Sequence, residues 1–201
     1  MIFKKLKQLL NGQQWRPYNR MLMFIMWSII IHFGMIMVCL VAAAPPAAGE
    51  YHIKAVFLYN FANFINWPDS AFTSHQAPFR ICIFGQDPFG KVMDVTVENQ
   101  TTRGRELVVE RMNSIPTLRS CHILFISKSE ENQLKEVFDF IKSHPVLTVS
   151  DMENFVVQGG MIKFFNRNNK VRLAINPKAL KKVNLKAAAN LLRLSRIIEV
   201  P

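Results

Sequence analysis

The chain has 201 residues, half of them hydrophobic, with 25 Lys and Arg against 14 Asp and Glu and a formal charge of +11. The length fits one domain with a proper core, and the apolar share excludes a disordered chain. A basic total of this size is the footprint of nucleic-acid binding, but Lys4, Lys5, Lys7, Arg16 and Arg20 all precede the first acid, Glu50, and beyond them the balance falls to 20 basic against 14 acidic residues, or +6, mostly scattered among one another.

The basic start runs into an apolar stretch, Met21 to Ala44, and then into PPAAGE. Basic, apolar and small residues in that order form an export signal. Cleavage fits after Ala43 or after Gly49. The apolar run is longer than the roughly 7–15 residues of an ordinary signal and nears the roughly 20 that span a bilayer, so an uncleaved anchor is the alternative. Both readings divide the chain into a leader, residues 1–49, and a domain, residues 50–201, beyond the inner membrane, because the positive charge stays inside. Cys39 falls in the leader and has no lipoprotein box before it.

The stretch KAVFLYNFANFINWP, Lys54 to Pro68, anchors the first predicted helix, from about Glu50 to Asn66. Phe57, Phe61, Phe64 and Ile65 recur at helical spacing, Val56, Tyr59 and Trp67 widen the apolar surface, and Lys54, Asn60 and Asn63 leave a narrow polar strip. A helix apolar nearly all round is buried on more than one side. Pro68 stops it.

Next come a compact apolar strand, Phe79–Gly85, a helix opened by Asp87 and Pro88 with Val92, Met93 and Val97 inside, and a second strand, ELVVERM, entered by a turn at Arg103-Gly104-Arg105. The run Cys121–Ile126 is apolar enough to be a central strand. A helix from about Ser129 to Ser143 presents Leu134, Val137, Phe138 and Ile141, and Val146–Ser150 makes a fourth strand. Asp151 opens a short helical turn reaching Gly159-Gly160; Met161–Phe165 and Val171–Ile175 form a hairpin; Pro177 begins a last helix to about Arg196. The alternation predicts an α/β fold: a single-domain layered sandwich, a mixed sheet of about six strands flanked by helices. The densest basic cluster, Lys178, Lys181, Lys182 and Lys186, reads as the solvated face of that last helix.

Cys82 and Cys121 are the two cysteines of the exported part. An even pair in an oxidising compartment forms a disulfide most simply; two buried thiols are the alternative.

Catalytic templates fail one by one. GQDPFGKV, Gly85 to Val92, has the glycine spacing of a phosphate-binding loop, but Val92 replaces the magnesium-binding hydroxyl and Pro88 has no N–H to offer. It reads as a capped strand-to-helix turn. His52, His75, His122 and His144 lack metal-ligand spacing, and no glycine-framed nucleophilic serine is present. Asp69, Asp87, Asp94, Asp139 and Asp151 stand mostly where caps and turns want them. An exported hydrolase therefore has no candidate residues, and no metal or cofactor is expected.

Taken in order, KAVFLYNFANFINWP, FRICIFGQDPFG, CHILFIS, LTVSDMENFVVQGGMIKFF and VRLAINPKAL resemble the YfiR-like family of periplasmic proteins over nearly all of Tyr51–Ile198. The resemblance implies an α/β sandwich, often dimeric, in which Cys82 and Cys121 correspond to the family's core disulfide. It implies a non-enzymatic repressor that binds the periplasmic domain of an inner-membrane diguanylate cyclase, holding down cyclic di-GMP and biofilm formation until an outer-membrane lipoprotein sequesters it. A second, labile cysteine pair found in some members is absent from the domain here. The competing reading is a periplasmic small-molecule sensor, with a pocket near Gly85, Gly159 or Gly160. The aromatic helix is expected to serve as core, with surplus apolar surface for a second protomer or the cyclase.

Overall fold

Each apolar run that alternates with a helical pattern takes its place in one sheet of the computed structural model, which describes Ile25 and residues 47–199. Nearly all of the expected leader, its cleavage site at Ala43 and Cys39 lie outside the described residues. Helix α1, Ala47–Phe64, is followed by the two-residue strand β1, Ile65–Asn66. Strand β2 spans Phe79–Phe84, helix α2 Lys91–Val97, and strands β3 and β4 Thr101–Thr102 and Arg105–Met112. Strand β5, Ile123–Ile126, helix α3, Leu134–Ile141, and strand β6, Leu147–Ser150, come next. The chain closes with β7, Ile162–Arg167, β8, Lys170–Ile175, α4, Pro177–Lys182, β9, Lys186–Ala187, α5, Ala189–Leu194, and β10, Arg196–Ile197.

The main sheet has eight strands in the order β10-β8-β7-β6-β5-β2-β4-β3. The six long ones are the six predicted; β3 and β10 extend the edges. Strands β4, β2, β5, β6 and β7 are mutually parallel, with antiparallel β8 and β3 beyond them. The strand order reverses between β2 and β5, the topological switch point of a doubly wound sheet. Both hairpins close through left-handed pairs, Arg103-Gly104 (φ 51° and 75°) and Asn168-Asn169 (φ 52° and 57°), as two-residue loops of the twist-matched type require.

Alternation along the strands sorts the core into two faces. Ile81, Ile83, Ile123, Phe125, Leu147 and Val149 join the larger cluster with residues of α1, α2, α4 and α5. Cys82, Phe84, Leu124 and Ile126 face the other way, under α3 and the 3-10 turn Ile115–Ser120.

Four boundaries differ from the sequence reading. The first helix runs Ala47–Phe64 rather than to Asn66, because Ile65 and Asn66 leave it to pair with β9. Asp87 does cap, accepting the N–H groups of Phe89 (2.7 Å) and Gly90 (3.2 Å), but the α-helix starts only at Lys91 because these bonds hold a tight turn first. The helix expected from Ser129 begins as a 3-10 turn, Lys128–Gln133. The last helix is broken. Asn184 takes a left-handed φ of 60°, and the next residues pair as β9 with β1, so Leu185 and Leu191 are buried while Leu194 is 76 % exposed.

Candidate functional site

Helix α1 lies along the larger face. Ala55, Leu58, Phe61, Ala62 and the following Ile65 are fully buried, and Phe61 stacks between Phe57 and Phe164 (centroids 6.3 and 6.1 Å). Its outer stripe is not polar throughout: Ile53 and Val56 are about half exposed, one turn apart. Tyr59 is half-buried and donates its hydroxyl to Gln100 Oε1 (3.2 Å).

Lys54 does not belong to a polar strip. It is 2 % exposed. Its Nζ stands over the Tyr51 ring (4.2 Å to the centroid), donates to Asp151 Oδ2 (2.6 Å) and lies 2.5 Å from Glu50 Oε1. Tyr51 donates to the same Asp151 oxygen (2.8 Å). Asp151 follows β6, so these bonds fasten the first turns of α1 to the carboxyl-terminal edge of the sheet. Burial pushes the Asp151 carboxyl up, but the bonds from Lys54 and Tyr51 more than offset it and hold it below the usual carboxylate range. Burial and the Asp151 charge together push the Tyr51 phenol up. The groups engage one another: Asp151 Oδ2 accepts from the ammonium and the phenol, and Asp151 Oδ1 lies 4.0 Å from Lys128 Nζ. The arrangement is an anchor. A cleft of about 480 Å³ opens beside it, lined also by Lys163, Asn166 and Arg196.

Asp151 was expected at a turn; the turn after β6 is instead served by Ser150, whose Oγ accepts from Met152 N (3.2 Å). The sequence signal for the anchor was Glu50 four residues before Lys54 on a helix otherwise short of charge. Nothing in the sequence pointed to the distant Asp151 as the partner.

Cys82, mid-β2, and Cys121, just before β5, are joined with Cα atoms 5.8 Å apart. The bond staples neighbouring strands on the smaller face. Beside it His122, 5 % exposed, lies stacked against Phe72 and Phe79 (4.6 and 4.8 Å). Its Nδ1 accepts from Arg80 N (3.0 Å), so Nε2 donates to the Ala71 carbonyl (3.1 Å) in the neutral ring. Burial holds the imidazole neutral, with its pKa lowered to about 4.

The phosphate-loop resemblance is filled from within. The Asp87 carboxylate takes the N–H groups an anion would need, and Arg111 binds both Asp87 (3.0 Å) and Asp94 (2.5 Å) across it. Gly85 and Gly160 do not border open space: a Cβ would stand 2.4 Å from Ser129 and Glu130 at the first, and 2.3 Å from the Phe155 ring at the second. Gly159 does line a cleft. Among the described residues no three His, Cys, Asp or Glu side chains gather closely enough to hold a metal ion, and no helix is long and apolar enough to cross a membrane.

A model of the YfiR/HmsC-like family matches residues 51–196. The chain belongs to that family. The YfiR/HmsC-like span takes in Cys82, Cys121, Lys54, Asp151 and every strand of the main sheet as far as the first residue of β10. No curated protein matches the chain.

Proposed function

We propose that this protein is a non-enzymatic periplasmic regulator that represses an inner-membrane diguanylate cyclase by binding the cyclase's periplasmic domain. Repression lowers cyclic di-GMP and restrains biofilm formation. Membership of the YfiR/HmsC-like family carries the reading. The disulfide suits an oxidising compartment, and Lys54, Tyr51 and Asp151 are engaged with one another as a structural anchor.

A repressor of this kind works by binding the inactive cyclase more tightly than the active one, which shifts the equilibrium by that difference. The contact surface we assign is the outer stripe of α1 at Ile53 and Val56, the exposed large apolar residues of that helix. The same stripe serves a homodimer contact, and an outer-membrane lipoprotein that covers it releases the cyclase. Binding of the purified protein to the cyclase's periplasmic domain tests this by surface plasmon resonance. Val56→Asp is expected to abolish the signal while leaving the fold and the disulfide intact. Undiminished binding by that variant places the contact elsewhere, and no binding by the unaltered protein removes the reading.

A further inference from the structure

The lysine cluster near the C-terminus is not only a solvated helix face. Between α3 and α4, where β6 and β7 begin, lies a cleft of about 440 Å³. Its lining is apolar at Phe138, Ile141, Val146, Met161 and Val183. Gly159 forms part of one wall; its φ of 110° is the reason a glycine stands there, since a Cβ would meet the Phe138 ring only at ordinary contact distance, 3.8 Å. Lys142, Lys178 and Lys182 stand exposed around this lining. The one acid among the lining residues, Asp139, is held by Lys135 (2.8 Å). Neither Lys142 nor Lys182 is ion-paired within 4 Å among the described residues. Asn176, 4 % exposed, also lines the cleft; its Oδ1 caps Ala179 N (3.1 Å), so its NH₂ is the donor that remains.

An apolar floor with a buried amide donor and a basic rim is complementary to one kind of molecule: an apolar body that ends in a single anionic head. We propose that this cleft binds an amphiphilic carboxylate of the fatty-acid class, its chain against Phe138, Ile141 and Met161 and its carboxylate at Lys142, Lys182 and the Asn176 amide. The site lies at the edge of the sheet opposite the Lys54–Asp151 anchor, and it is independent of the cyclase reading; its test reads binding alone, so either proposal can fail without the other.

The test uses the protein expressed with its own N-terminal segment, purified as recovered and labelled with ¹³C in its methionine methyls. Met161, 7 % exposed, reports on the cleft, while Met93 and Met152, buried elsewhere, serve as controls. Decanoate, kept below its micelle concentration, is expected to shift the Met161 methyl saturably and leave Met93 in place. Decanol, with the same apolar body and no charge, should need about tenfold more for the same shift, and acetate should do nothing. Charge reversal by Lys142→Glu with Lys182→Glu, both exposed, should weaken decanoate about tenfold and leave decanol unchanged. A Met161 methyl that does not move, decanol binding as tightly as decanoate, or decanoate binding untouched by charge reversal would each overturn the proposal.

Discussion

The two faces of the sheet are held by different means. On the larger face α1 alone brings Leu58, Phe61 and Ala62 into a continuous apolar cluster, with aromatic rings interleaved. The smaller face has a short helix, two 3-10 turns and a cluster about half as populous, and there the covalent bond between Cys82 and Cys121 is found. Burial supplies the first face's stability; a constraint on the unfolded chain supplies much of the second's. The face that carries α1 also carries the exposed Ile53 and Val56, so the well-packed side is the one able to offer a contact surface without loosening.

Substitutions on either face test that contrast. Phe61→Asp should have the largest effect: a charge in a fully buried, stacked position leaves no folded domain, read as loss of the cooperative urea transition. Removing the disulfide by Cys82→Ser with Cys121→Ser should cost about 4 kcal/mol on the chain-entropy account, with the fold kept and the urea midpoint lowered. A double variant that unfolds like Phe61→Asp would show that the smaller face has no adequate core of its own.

Lys54→Met should cost about 3 kcal/mol, because it leaves the Asp151 carboxylate buried without its cation. Adding Asp151→Leu should recover part of that loss, which a purely steric role for Lys54 does not predict.

The His122 effect is graded with pH. Its folded pKa of about 4 lies below the ordinary 6.5, so the unfolded chain binds the proton first as pH falls. Stability is therefore full above about 6.5 and declines by about 1.4 kcal/mol for each pH unit down to about 4. Asp151 and Glu50, whose pKa values are lowered in the fold, add a loss in the same direction below the carboxylate range. Urea titrations at several pH values should show His122→Phe flattening the slope between 6.5 and 4 and leaving the more acidic part unchanged. Val56→Asp should move stability least, within about 0.5 kcal/mol.

Much of this architecture was legible in the sequence because strand and helix periods are local. Six strands, their order along the chain and the apolar helix followed from runs such as FRICIF and ILFI. The break in the last helix was not, because LKAAANLLRL has good helical propensity and it is the pairing of Lys186-Ala187 with Ile65-Asn66 that overrides it. Lys54 was misplaced for a similar reason: its partner is 97 residues away, and composition along α1 cannot show that a charge is paired. Likewise the exposed apolar stripe at Ile53 and Val56 was not legible, since only the packed neighbours fix the rotation of a helix that is apolar nearly all round.

The most direct test of the regulatory account is cellular cyclic di-GMP in a strain that lacks this gene, beside strains complemented with the unaltered protein, with Val56→Asp, and with the double cysteine variant. The account predicts a rise on deletion that is reversed by the unaltered protein, not by Val56→Asp, and only in part by the double cysteine variant, whose lowered stability leaves less folded protein. Cyclic di-GMP that does not change on deletion would contradict it.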